Sequence, residues 1–229
     1  MLTVLSFGFL LGLRHAIEAD HIAAVASLTT RARSLRRALL VGIIWGLGHT
    51  VTLVFFGGLV LFFDTIIPAD LSHGLEMIVG LMLIVLGADV LYRLKRERVH
   101  FHLHKHGPKT PHFHAHAHQK KSLHDADPHN HEHPQGLSLR AFLVGSMHGM
   151  AGTAALILLT LQSIDSIGLG LIYIGLFGIG SIFGMAMLSA AIAIPMAYAS
   201  DSLTQLYVWF RGAIGAVTIG LGLYTVVFV

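Results

Sequence analysis

The chain contains no cysteine, so disulfides, thiolate metal sites and thiol redox motifs are all excluded. Charge is scarce as well: 12% of its 229 residues are Asp, Glu, Lys or Arg, against about 25% in soluble domains. With 54% hydrophobic residues and a mean hydropathy of +0.71, such a chain belongs in a lipid bilayer. Nothing matches Gly-x4-Gly-Lys-Ser/Thr, so the expectation is a transporter without an ATP-binding module in this sequence. The first apolar segment lacks a basic leader and is too long for a cleavable signal peptide. The formal charge of +3 is not laid out as a folded basic surface, which argues against a nucleic-acid partner.

Six apolar runs are long enough to cross a hydrocarbon core of about 30 Å, for which about 20 helical residues suffice. They fall near Leu2–Leu28, Ala38–Phe63, Gly74–Tyr92, Leu139–Leu161, Ile167–Tyr198 and Leu203–Val229. The expected fold is therefore an all-α membrane protein with six transmembrane helices. Basic residues crowd the connections at Arg31–Arg37 and Arg93–Arg98, whereas those around Asp64–Ser72 and Gln162–Ser166 have none. By the positive-inside rule the basic connections lie in the cytoplasm and both termini outside, in the cytoplasmic membrane.

The two halves repeat. Phe9-Leu10-Leu11-Gly12-Leu13-Arg14-His15 aligns with Phe142-Leu143-Val144-Gly145-Ser146-Met147-His148, and Gly80 and Gly87 align with Gly215 and Gly222. Gly46-Leu47-Gly48-His49 likewise aligns with Gly178-Ile179-Gly180-Ser181. Three spans per half is an odd number, so the expectation is two inverted three-helix repeats, 1–92 and 139–229, with a site where the halves meet. Residues 93–138 separate them. This connection holds twelve histidines between His100 and His133, many alternating as His-x-His, and has no apolar periodicity. It reads as a disordered cytoplasmic loop that collects or buffers metal.

The costliest feature is Arg14-His15-Ala16-Ile17-Glu18-Ala19-Asp20-His21 in the middle of the first apolar run. Three charged side chains at mid-bilayer cost about 8–10 kcal/mol, more than the flanking leucines and valines return. Imidazole and carboxylate together are donors for a divalent first-row transition metal. On a regular helix Asp20 would lie about 140° and His21 about 240° around from His15, so one ion can be shared only if the helix is broken between them. A matching break is expected near Gly149 to Gly152. His49 and His148 are expected to approach from neighbouring helices, and Glu18 to serve as ligand, proton acceptor or partner of Arg14. Asp89 and Arg93, spaced i,i+4, should pair, and Arg211 should reach water at a helix end.

These motifs carry a family resemblance. His15-x4-Asp20-His21 resembles the signature of the NicO/NiCoT nickel–cobalt transporters, and Leu47-Gly48-His49-Thr50 is similar to that family's second motif. The resemblance spans essentially the whole chain. It implies a permease for Ni²⁺ or Co²⁺ as cargo, with no resident cofactor and no enzymatic activity, and His15, Asp20, His21 and His49 as metal-handling residues. Acidic motifs of classical members are replaced here by Gly149-Met150-Ala151-Gly152-Thr153 and Gly184-Met185-Ala186-Met187, as in the shorter urease-associated branch. The alternatives are efflux of the same ions, or a non-transporting reservoir or donor for urease or hydrogenase maturation. His15-x2-Glu18 is not His-Glu-x-x-His, which disfavours a zinc protease.

Overall fold

The computed structural model describes residues 2–32, 34–63, 68–96, 99–104, 112–117, 135–150, 166–202 and 204–228. Among them are seven helices: α1 Leu2–His15, α2 Ala19–Thr29, α3 Leu35–Phe63, α4 Ala69–Arg96, α5 Gln135–Met150, α6 Ile167–Ser202 and α7 Thr204–Phe228. Two strands, β1 Val99–His104 and β2 His112–Ala117, pair antiparallel.

Four of these helices are long and apolar enough to cross a membrane: Leu35–Phe63, Asp70–Arg96, Ile167–Met196 and Gln205–Phe228. This corrects the expectation of six transmembrane helices in two inverted three-helix repeats, while the all-helical membrane class holds. The first apolar run is two helices of 14 and 11 residues, about 21 and 16 Å long at 1.5 Å per residue, each short of a 30 Å core. The fourth run yields α5, with 16 residues, and the rest of that run lies outside the described residues.

The segment expected to be disordered contains the β1–β2 pair, with His100 opposite His116, His102 opposite His114 and His104 opposite His112. His-x-His alternation has the period of a strand, and a period of two is the pattern a hairpin needs. The remaining residues between 105 and 134 lie outside the described set.

The sequence-matched glycines mark helix crossings. A Cβ on Gly12 of α1 would overlap the carbonyl oxygen of Phe177 in α6, and one on Gly180 of α6 would overlap that of Phe9. The same reciprocity joins α3 and α5, where Gly48 faces the Phe142 carbonyl and Gly145 the Trp45 carbonyl. In α4 and α7, Gly80 lies against Gly222 and Gly87 against Gly215. Small residues let backbones approach closely where no hydrophobic force acts between helices in lipid. Trp45, Leu28, Val41, Leu83 and Met185 fill the buried core between these helices.

Asp89 Oδ2 receives three guanidinium groups: Arg31 at 2.7 Å, Arg140 at 3.0 Å and Arg93 at 3.1 Å. The i,i+4 pair with Arg93 is the local part of this cluster. The other two contacts fasten the α2–α3 connection and α5 to α4. Arg211, expected at the water, is instead buried, with its guanidinium 5.4 Å from the Tyr207 ring centroid. The ring face attracts the cation.

Candidate metal centre

The backbone leaves helical geometry where the spacing demanded it. α1 ends at His15, and the next turn is tightened by hydrogen bonds from the Ile17 N–H to the Arg14 carbonyl and the Glu18 N–H to the His15 carbonyl, 3.0 and 3.1 Å long. Glu18 is extended, with φ −67° and ψ 149°, and α2 begins at Ala19. Asp20 therefore lies in the first turn of α2, where a carboxylate is favoured by the positive end of the helix dipole.

This break turns His15 and His21 toward each other, their ring centroids 4.2 Å apart. His49 arrives from α3, 5.2 Å from the His15 ring and 5.3 Å from that of His21. His148 arrives from α5, 4.3 Å from His21. All four imidazoles are buried, with exposures of 4% for His15, 0% for His21 and His49, and 1% for His148. The two carboxylates sit at the edge of the cluster, Glu18 at 37% and Asp20 at 33% exposed. Glu18 pairs with His15 Nδ1 at 3.0 Å. Asp20 Oδ1 binds His21 Nδ1 at 2.9 Å, and its Oδ2 binds His148 Nε2 at 2.8 Å.

Trp45 was not singled out in the sequence. It stacks on His49 one turn away, with centroids 5.7 Å apart and planes 10° from parallel, and meets His21 edge-on at 5.3 Å. The signal was the i,i+4 spacing of Trp45 and His49 within the second motif's helix. Phe177 closes the His15 side at 5.2 Å. His73, by contrast, is exposed and outside the cluster.

Among the described residues, His15 Nε2, His21 Nε2, His148 Nδ1 and both ring nitrogens of His49 are buried without a hydrogen-bond partner. Each unsatisfied buried polar atom costs about 1–3 kcal/mol. A cluster of them is a poor way to build a core and a good way to receive a cation. Two trios have their ligand atoms within 4.8 Å of one another: His15, His21 and His49, and Asp20, His21 and His148. Neutral imidazole with carboxylate suits Ni²⁺, Co²⁺ and Zn²⁺.

The sequence pattern of the NicO family, described as high-affinity nickel-transport protein, matches residues 1–229. The chain belongs to the NicO family. The urease accessory protein UreH of Bacillus sp. (strain TB-90) is 33% identical over 200 residues, covering 85% of this chain and 78% of that protein. A Methanocaldococcus jannaschii protein named for nickel/cobalt efflux is 27% identical, over 95% of this chain and 89% of its own length. The chloroplast protein FOR GROWTH AND FERTILITY 1 of Arabidopsis thaliana is 26% identical over 96% of this chain and 58% of its own. No solved structure matches. The NicO family is a family of metal transporters and not of enzymes, and its cargo is a divalent transition-metal ion. Four apolar helices and this family make the chain a multi-pass membrane protein.

Proposed function

We propose that this NicO protein is a secondary permease that passes Ni²⁺ or Co²⁺ across the cytoplasmic membrane through the His15, Asp20, His21, His49 and His148 cluster. The observation that carries this reading is the convergence of four buried imidazoles, each with a ring nitrogen that has no hydrogen-bond partner. Such a site replaces the hydration shell of an ion with nitrogen and carboxylate donors inside an apolar bundle. Glu18 acts from the rim through its hydrogen bond to His15. The basic connections face the cytoplasm, where the His-rich segment raises the local metal concentration. The kinship with a urease accessory protein supports nickel supply to a urease maturation system as the use of this flux.

Radiotracer flux of nickel, cobalt and zinc in oriented vesicles, followed in both directions, tests this reading. Saturable flux of nickel or cobalt that exceeds that of zinc is the expected result. Metal binding without any flux would replace the permease with a membrane-bound reservoir.

A further inference from the structure

The cluster holds two trios of donors, and His21 is common to both. We propose that they are two alternating stations for a single ion, and that the cargo is handed from one to the other across His21. The proposal rests on the permease reading above and adds a path through the site.

The hydrogen bonds distinguish the stations. In the trio His15, His21 and His49, the unpartnered nitrogens are His15 Nε2, His21 Nε2 and both of His49. Nδ1 of His15 is already engaged by Glu18 at 3.0 Å, and Nδ1 of His21 by Asp20 at 2.9 Å. A ligating imidazole characteristically donates its other ring N–H to a carboxylate, which fixes the tautomer and the ring's aim. This trio is thus a three-nitrogen station in which Glu18 and Asp20 are positioning residues and not ligands.

In the second trio Asp20 changes role. Its two oxygens are hydrogen-bonded to His21 Nδ1 and His148 Nε2 at 2.9 and 2.8 Å, so a cation that displaced the shared protons would meet one carboxylate and two imidazoles. With Nδ1 turned to Asp20 and Nε2 unpartnered, His21 would serve this station from Nδ1 and the first from Nε2. A neutral imidazole has one acceptor nitrogen at a time, the other being N–H. The two stations therefore exclude each other: His21 holds an ion on one side or, after its ring or its proton rearranges, on the other. A mixed nitrogen–oxygen station beside an all-nitrogen one offers the ion two unequal donor sets. Passage then needs no state in which the ion is stripped of all ligands.

The test uses the full chain with its twelve loop histidines, between His100 and His133, changed to asparagine so that Co²⁺ reports on the buried cluster. Equilibrium dialysis counts the bound Co²⁺, visible absorption reads its ligand field, and proteoliposome flux is measured on the same samples. Wild-type cluster residues should bind one Co²⁺ per chain. His49→Ala and His148→Ala should each still bind one, with spectra that differ from each other, because each leaves a different trio intact. Both should lose at least tenfold in flux, since a single station cannot hand the ion on. His21→Ala should lose tight binding and flux together. Repeating the first two changes as His49→Gln and His148→Gln, which fill more of each site, guards against a misfolded variant. Loss of binding in both His49 and His148 variants, or identical spectra from them, would overturn the two-station arrangement and leave a single five-residue permease site. Two Co²⁺ per chain at once would overturn the mutual exclusion through His21. Undiminished binding and flux in His21→Ala would overturn the permease reading itself.

Discussion

Gly149→Ala should disable the metal centre while sparing the fold. A Cβ on Gly149 would lie 2.5 Å from the carbonyl oxygen of His49 and 3.2 Å from its Cα, where ordinary contact begins at 3.4 Å. α5 and α3 must then part by about 0.9 Å at the turn that carries both His148 and His49, several times the ±0.2 Å that coordination distances tolerate. Overpacking of this size costs about 1–3 kcal/mol, and the better helix propensity of alanine returns up to about 1 kcal/mol. The net loss of stability is thus small, whereas misplacing groups around metal ligands typically lowers affinity or activity by about 10–100-fold. Gly220→Ala is the control, because nothing lies within 4 Å of a Cβ there. Nickel flux in proteoliposomes and thermal unfolding in detergent would be measured on both variants. The account expects Gly149→Ala to remain folded with flux at least tenfold down, and Gly220→Ala to match wild type. Flux within twofold of wild type in Gly149→Ala would refute the claim that the α3–α5 approach sets the site's geometry.

Asp89→Ala should leave the guanidinium groups of Arg31, Arg93 and Arg140 facing one another and lower stability by about 2 kcal/mol, between the values for surface and buried pairs; thermal unfolding with and without added salt would read this. Deleting residues 101–134 should leave an inserted protein whose flux falls chiefly at low metal concentration, as a concentration series on vesicles would reveal. Metal binding should weaken as pH falls, because imidazole must be neutral to ligate and protons compete with the ion; Co²⁺ dialysis across a pH series on the chain with substituted loop histidines checks the sign.

The break in the first helix was legible because geometry forces it: His15, Asp20 and His21 cannot share a space on a regular helix, and the backbone departs between His15 and Ala19. The paired glycines were read from the sequence as marks of a repeat, and the structure gives them a further role as close helix contacts, each at a place where a side chain would not fit. Gly149 shows the limit of that reading. It was expected to ease a break in the second half, but it is helical and serves to admit the His49 carbonyl. Residues 151 and 152, which complete the expected break, lie outside the described set. The number of membrane-crossing helices was misread because an apolar run reports composition and not continuity, so the first run counted as one span although it divides in two. Asp89 illustrates the reach of local spacing: its i,i+4 partner Arg93 could be found, whereas Arg31 and Arg140 are brought to it only by tertiary packing. Trp45 was hidden because an aromatic residue in an apolar helix ordinarily reads as core, and here it is core that also walls three of the histidines.

The claim that the buried imidazole–carboxylate cluster is the route of the ion is tested most directly by flux. Radiotracer nickel and cobalt uptake would be compared in proteoliposomes of equal protein content carrying wild type, His15→Ala, Asp20→Ala and His21→Ala. All three variants should insert normally and lose nickel and cobalt flux. Wild-type flux in any two of them would contradict the account.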